Sequence, residues 1–166
     1  MDAYQAIITK RDTRQYLPDA VGSDALERVL RAGRMAGSAK NAQVTRLIVV
    51  TEEERRRQLA GAGDFTSWIH VAPVVLVLVA PVEGGRLFDL GRMAQNLMLA
   101  AHELGLATCP VTFHHQDRVR AAIGLPDDME GPMGITLGHP GPLDANRPRA
   151  PRIPLGELVH RETWEG

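Results

Sequence analysis

Between residues 74 and 80 the chain reads Val-Val-Leu-Val-Leu-Val-Ala, with no polar position in the run. A short, unbroken, β-branched apolar stretch predicts a central strand covered on both faces. Residues 46–51 (Arg-Leu-Ile-Val-Val-Thr) form a second such run, and further strands are predicted at 107–112 and 133–138. Helical spacing fills the intervals. Residues 2–10 place Ala3, Ile7 and Ile8 on a short amphipathic helix, and Pro18 stops any continuation. Ser23 is a candidate cap for a second helix, with Leu26, Val29, Leu30 and Gly33 on one face. Glu52 to Ala60 reads as a charged surface helix, and residues 116–123 as a short helix ended by Gly124 and Pro126.

Leu87 to Leu104 is the most informative helix. Leu90, Ala94, Leu97, Ala101 and Leu104 make one stripe, which Met93, Leu99 and Ala100 widen beyond that of a surface helix. A helix apolar nearly all round is buried in a core or an interface. Gly105 follows as its stop. From Gly138 to Pro154 the chain turns rich in Pro, Gly and Arg, an extended arm that must pack on something else. Helices interleaved with about four strands predict a single layered domain of α/β or α+β type around a buried central helix.

The 166 residues are 44% hydrophobic but only 4% aromatic, so the core is built from Leu, Val, Ile, Ala and Met. A net charge of −1 gives neither a footprint for nucleic acid nor a charge block for a membrane surface. No apolar run approaches the ~18 residues of a transmembrane helix, and Met1-Asp2-Ala3-Tyr4 opens without an apolar signal region, so a cytoplasmic location is expected. Cys109 is the single cysteine, which excludes an intrachain disulfide and a multi-cysteine metal site; its apolar surroundings predict a buried filler.

Three clusters bear on chemistry. Lys10-Arg11-Asp12-Thr13-Arg14 gathers three cations and a hydroxyl that could grip a phosphate, although a positive helix C-terminus accounts for the same residues. Gly37-Ser38-Ala39-Lys40-Asn41-Ala42-Gln43 offers hydroxyl, amide and backbone groups suited to the edge of a polar heterocycle, or to an ordinary turn. In the arm, Arg147, Arg149 and Arg152 alternate with prolines that fix an extended backbone. His114-His115 lacks metal-site spacing, no phosphate-binding glycine motif of Rossmann or Walker type is present, and Asp89 and Glu103 read as ordinary polar positions of the central helix.

In order, these segments resemble the nitroreductase superfamily of FMN-dependent oxidoreductases. Lys10-Arg11-Asp12-Thr13-Arg14-Gln15-Tyr16 is similar to its R-R-S-x-R-x-F opening, and Ala36 to Thr45 to its A-P-S-x-x-N-x-Q-P-W loop. Ala72 to Val77 resembles its Ala-Pro strand, and Asp89 to Leu106, with Gly91, Gln95 and Asn96, its D-x-G-x-x-x-Q-N-L helix. Leu137-Gly138-His139-Pro140 and Arg152 to Val159 resemble its last strand end and its tail, so the likeness runs along nearly the whole chain.

The resemblance implies one α+β domain over residues 1–166: a three-layer α/β/α fold with a mostly antiparallel sheet, a buried central helix, and a C-terminal arm (138–166) packed on the partner of a homodimer. It implies FMN at the dimer interface, reduced by NADPH or NADH and reoxidised by a small organic acceptor (a nitroaromatic, a quinone or similar) in a ping-pong cycle. Lys10, Arg11 and Arg14, joined by Arg152, would bind the phosphate and ribityl chain. Asp12 would face the ring or ribityl group, while Ser38, Asn41 and Gln43 would reach the cofactor from the partner subunit. The backbone of Pro110, Val111 and Thr112 would line its redox-active edge. The flavin carries the chemistry, so no side chain acts as acid or base. Gly37, Val44 and Thr45 depart from the family's Pro, Pro and Trp, and Lys10 from its Arg. Short segments after Ala60 and Ala80 imply an open pocket. Two alternatives remain at this stage: a flavin-sequestering module without turnover, and a flavin-cleaving enzyme akin to the dimethylbenzimidazole synthases, whose Met-Gln-Pro-Trp loop this chain lacks.

Overall fold

In the computed structural model, which describes residues 1–142 and 150–164, the all-apolar run becomes β2 (Val74–Pro81), buried from Val74 through Ala80. Its neighbours explain that burial. β1 (Arg46–Val50) pairs antiparallel with one edge, Arg46 opposite Val79 and Val50 opposite Val75. β4 (Met129–Gly138) pairs antiparallel with the other, and β3 (Ala107–Thr112) closes the order β1-β2-β4-β3.

Strand periodicity then divides β2 between two cores. Val74, Leu76, Leu78 and Ala80 face α2 (Ser23–Arg34) and α4 (Leu87–Glu103), meeting Val29, Leu90, Ala94, Leu97 and Ala101. Val75, Val77 and Val79 face α3 (Glu53–Ala60) and α5 (Gln116–Ile123), meeting Leu59, Val119 and Ala122. The result is the expected three-layer α/β/α arrangement on an antiparallel sheet. Gly105 (φ +73°) and Gly124 (φ +69°) end α4 and α5 in the left-handed conformation, with the Leu106 N–H donating back to the Ala101 carbonyl at 2.9 Å.

Three expectations need correction. Ser23 does not cap α2: Gly22 holds the extended cap position and accepts the Leu26 N–H at 3.0 Å, while the Ser23 hydroxyl turns to Asp24. In α1 (Ala3–Thr9) the buried residue is Ala6, while Ile7 stays 57% and Tyr4 69% exposed, because among the described residues α1 packs chiefly on α4. β4 also begins four residues before the predicted 133, since its first half, Met129-Glu130-Gly131-Pro132, carries turn residues rather than a strand pattern. Packing demands those glycines. A Cβ on Gly131 would lie 2.9 Å from Val77, and one on Gly134 would lie 2.7 Å from the Phe113 ring and 3.2 Å from Val111. Gly134→Val is therefore expected to cost about 1–3 kcal/mol through overpacking, seen as a lower Tm; an unchanged melting curve contradicts this account.

The arm is the part the core does not explain. Residues 150–164, including the one-turn α6 (Leu155–Leu158), are exposed throughout, with Leu155 at 73% and Trp164 at 81%. Among the described residues no helix is long and apolar enough to cross a membrane.

Candidate functional site

After α1 the chain cannot continue as helix towards Pro18, and residues 10–17 instead run as a strap across one end of the sheet. The Thr13 N–H donates to the Thr108 carbonyl at 3.0 Å, Asp12 bridges to Thr108 in parallel, and the Leu17 N–H donates to the His139 carbonyl at 3.0 Å. The Tyr16 hydroxyl donates to the Thr13 carbonyl at 2.6 Å. Thr13 is buried, so Arg11, Asp12 and Arg14 stay on the outside of the strap beside β3.

The cationic segment and the β3 edge thus form one group. Lys10 Nζ pairs with the Asp12 carboxylate and lies 3.3 Å from Met98 Sδ on α4. The Arg14 guanidinium lies over the Trp68 ring, 5.3 Å from its centroid. Next along β3, Cys109 is buried as expected. Burial pushes its thiol pKa up and the Asp12 carboxylate adds to the rise, against a hydrogen bond from Arg14 and the charges of Arg14 and Lys10. The thiol is thereby held protonated near neutral pH. Pro110 and Val111 are half-buried and Thr112 is exposed.

Ser38, Asn41 and Gln43 form a second group at the other end of α4. Lys40, Asn41 and Gln43 all adopt left-handed backbone, with φ of 54°, 54° and 49°. Such strain, on the order of 1–3 kcal/mol per residue, persists only where surroundings enforce it. Here the Ser38 hydroxyl accepts the Gln43 N–H at 2.9 Å, and Arg46 donates to the Gln43 carbonyl at 2.6 Å. Asp89, at the start of α4, accepts the Ala39 N–H at 3.3 Å. Asp89 is buried, so its reading as an ordinary helix position is corrected: it clamps the loop. Glu103, by contrast, is a surface residue paired with Arg28 at 3.2 Å. Gly37 packs against the flexible end of Arg92, whose Nη2 lies 2.6 Å from where a Cβ would sit. Asp89→Ala is expected to cost about 1–3 kcal/mol by orphaning a half-buried donor, and to speed amide exchange across residues 38–43 selectively; uniform exchange would refute the clamp.

Within one chain the two groups stand apart. Asp89 and Met98 are nine residues apart on α4, roughly 14 Å at ~1.5 Å per residue. Arg152 lies on the exposed arm, in neither group, and Arg147 and Arg149 fall outside the described residues. A cleft of about 620 Å³ opens elsewhere, lined by Pro18, Val21, Thr51, Arg56, His70 and Pro73 among others, and no candidate cofactor residue lines it. Sequence reading missed Asp89, Arg92, Trp68 and the contacts of Asp64 with His114 and His115. Each depends on a partner distant in sequence, and only Asp89, a carboxylate at the head of the most apolar helix, left a signal.

Residues 7–64 and 66–139 match the profile of the Nitroreductase family. The chain belongs to this family. As a nitroreductase-family protein it is 25% identical over 180 residues to the NADPH-flavin oxidoreductase of Vibrio harveyi, covering 97% of this chain and 74% of that one. It is 28% identical over 198 residues to a NADH dehydrogenase of Thermus thermophilus, covering 96% and 95%. The solved structure of the Vibrio harveyi NADPH:FMN oxidoreductase complexed with NAD+ superposes with a TM-score of 0.86 at 25% identity, covering 97% of this chain and 77% of that one.

Proposed function

We propose that this nitroreductase-family chain is an FMN-dependent oxidoreductase, carrying electrons from NADPH or NADH to a small organic acceptor (a nitroaromatic, a quinone or similar) by a ping-pong cycle, in the cytoplasm. The observation that carries the reading is the convergence of the cationic strap on the edge strand β3, where Asp12 and Thr13 pair with Thr108. The donor set fits FMN. Three cations and one carboxylate leave the strap with a charge of +2, which suits a phosphate dianion, while the Ser38–Gln43 loop offers amide and hydroxyl groups to a polar ring edge.

Arg11 and Arg14 hold the phosphate and ribityl chain together with Lys10, whose charge is tempered by Asp12. Pro110, Val111 and Thr112 supply backbone along the redox-active edge. When bound, FMN supplies the two-electron exchange between nicotinamide and acceptor. The protein's work is to bind and orient it, and no side chain of this chain is required as an acid or base.

The site takes residues from two copies of the chain. The two groups are anchored to residues nine apart on α4, and a second copy laid against α4 brings its Ser38, Asn41 and Gln43 to the first copy's strap. An uncovered apolar surface supports this: Met35 is 72%, Leu87 68% and Phe88 76% exposed, alongside Tyr4 and Ile7 of α1. The arm, over 138–166 of a single 1–166 domain, packs on that second copy and delivers Arg152 to the phosphate.

The test is the visible spectrum of protein saturated with FMN and desalted, followed by anaerobic NADPH or NADH. A retained flavin band that bleaches, and returns when an acceptor is added, is the expected result. A colourless protein refutes the assignment. A band that resists both nucleotides indicates a sequestering module, and flavin consumed in oxygen after reduction indicates a cleaving enzyme.

A further inference from the structure

Beyond Thr112, β3 runs on into Phe113, His114 and His115. Phe113 anchors this end, its ring buried and its N–H donating to the Pro132 carbonyl at 2.9 Å, so the next side chain, His114, faces outward. The loop of residues 61–68 closes over the same end. The His115 N–H donates to the Ala62 carbonyl at 2.9 Å, and Gly63 sits so near the Thr112 carbonyl that a Cβ would stand 2.5 Å from its oxygen. Thr66 pins the loop, its single hydroxyl proton shared between the carbonyls of Ala60 and Gly63, both 2.9 Å from Oγ1. At the loop's far end Trp68 carries the Arg14 guanidinium. Residues 61–68 therefore span from the strap to Thr112, along the proposed cofactor edge.

Asp64 fixes both histidines. Its backbone N–H donates to His114 Nδ1 at 3.2 Å, and its carboxylate takes His115 Nε2 at 3.0 Å. With Nδ1 turned to the Asp64 N–H, and the Asp64 carboxylate 3.8 Å from the same nitrogen, Nε2–H is the ring N–H left to point outward. That N–H is a donor set in advance by the main chain. Beside it stands Phe65, 78% exposed, with ring centroids 6.5 Å apart and planes at 81°. An exposed phenyl with a preset donor at its edge recognises a flat ring bearing an oxygen.

We propose that His114 and Phe65 form the acceptor subsite: a planar aromatic acceptor packs against Phe65, and His114 Nε2–H donates to its nitro or carbonyl oxygen. The proposal rests on the flavin reading above and adds to it the residues that select the acceptor.

The experiment titrates 4-nitrobenzoate into oxidised, FMN-loaded protein with no reductant present, following the shift of the flavin band and the heat of binding. Wild-type protein is expected to bind saturably. His114→Phe, which keeps a ring and deletes the donor, is expected to raise the dissociation constant about 5- to 10-fold, within the range of one hydrogen bond. His114→Gln, which keeps a donor, is expected to stay within about 3-fold of wild type by the same measure, and Phe65→Leu to weaken binding by a similar small factor. FMN affinity is expected to be unchanged in all three. Equal affinity in wild type and His114→Phe, equal losses in His114→Phe and His114→Gln, or no binding by FMN-loaded wild type each overturn the subsite while leaving the flavin reading intact. Failure of the wild type to retain FMN overturns the flavin reading itself.

Discussion

Replacing Arg11 and Arg14 together by alanine is expected to weaken FMN binding by about two to four orders of magnitude, taking each charge-assisted bond to a phosphate as worth ~1.5–3 kcal/mol. Both side chains are exposed and neither belongs to a core cluster, so the fold is expected to survive the change. Calorimetric titration with FMN, beside a melting curve of the FMN-free protein, separates loss of affinity from loss of structure. Asp12 supplies a control of opposite sign. Its carboxylate engages Lys10, so Asp12→Ser releases that cation towards the phosphate and is expected to tighten FMN binding by a few-fold, about the value of a partly exposed ion pair. Were the double arginine variant to bind FMN like wild type, the strap would be an ordinary positive helix end and the site would lie elsewhere.

Leu97→Ala is expected to be the most destabilising single change, costing about 3–4 kcal/mol, within the ~2–5 range for emptying a buried leucine site. Leu97 is fully buried at the crossing of α2 and α4, where the space a Gly33 Cβ would take is already filled: Leu97 Cδ2 lies 2.5 Å away and Cγ 2.8 Å. The two positions share one volume, so their effects cannot add. Gly33→Ala alone is expected to destabilise by overpacking, yet to recover part of the loss when placed on Leu97→Ala. Denaturant midpoints of wild type, both single variants and the double variant test this, and additive losses would show that the helices relax apart instead. Because α4 carries Asp89 at its head and contacts Lys10 through Met98, loosening this crossing is also expected to weaken FMN binding.

The layers were legible because each rests on local periodicity. The apolar run at 74–80 can be satisfied only between two helical layers, and the stripe from Leu90 to Ala101 can face only a core. Gly105 and Gly124 stop their helices through backbone freedom that is encoded at single positions. Errors fell where neighbours overrule the local pattern. Gly131, Pro132 and Gly134 disguise the first half of β4, since Val77, Val119 and Phe113 occupy the space side chains would need. Gly22 displaces Ser23 as cap because the chain is already extended one residue earlier.

By itself, then, the sequence determined a layered domain of α/β or α+β type, the buried central helix and the four strands as consequences of composition and spacing within a few turns of chain, and pointed to the α+β class and to residue types that suit FMN only through the resemblance of motifs in order. Only the tertiary structure decided that the strap crosses β3 at Thr108, that Asp89 clamps the strained Ser38–Gln43 loop, that these two polar groups sit at opposite ends of α4, and that the Asp64 N–H meets the ring of a histidine 50 residues away. Those facts depend on hydrogen bonds between groups far apart in the chain. Their geometry is fixed by how the layers pack, a relation that no local pattern records.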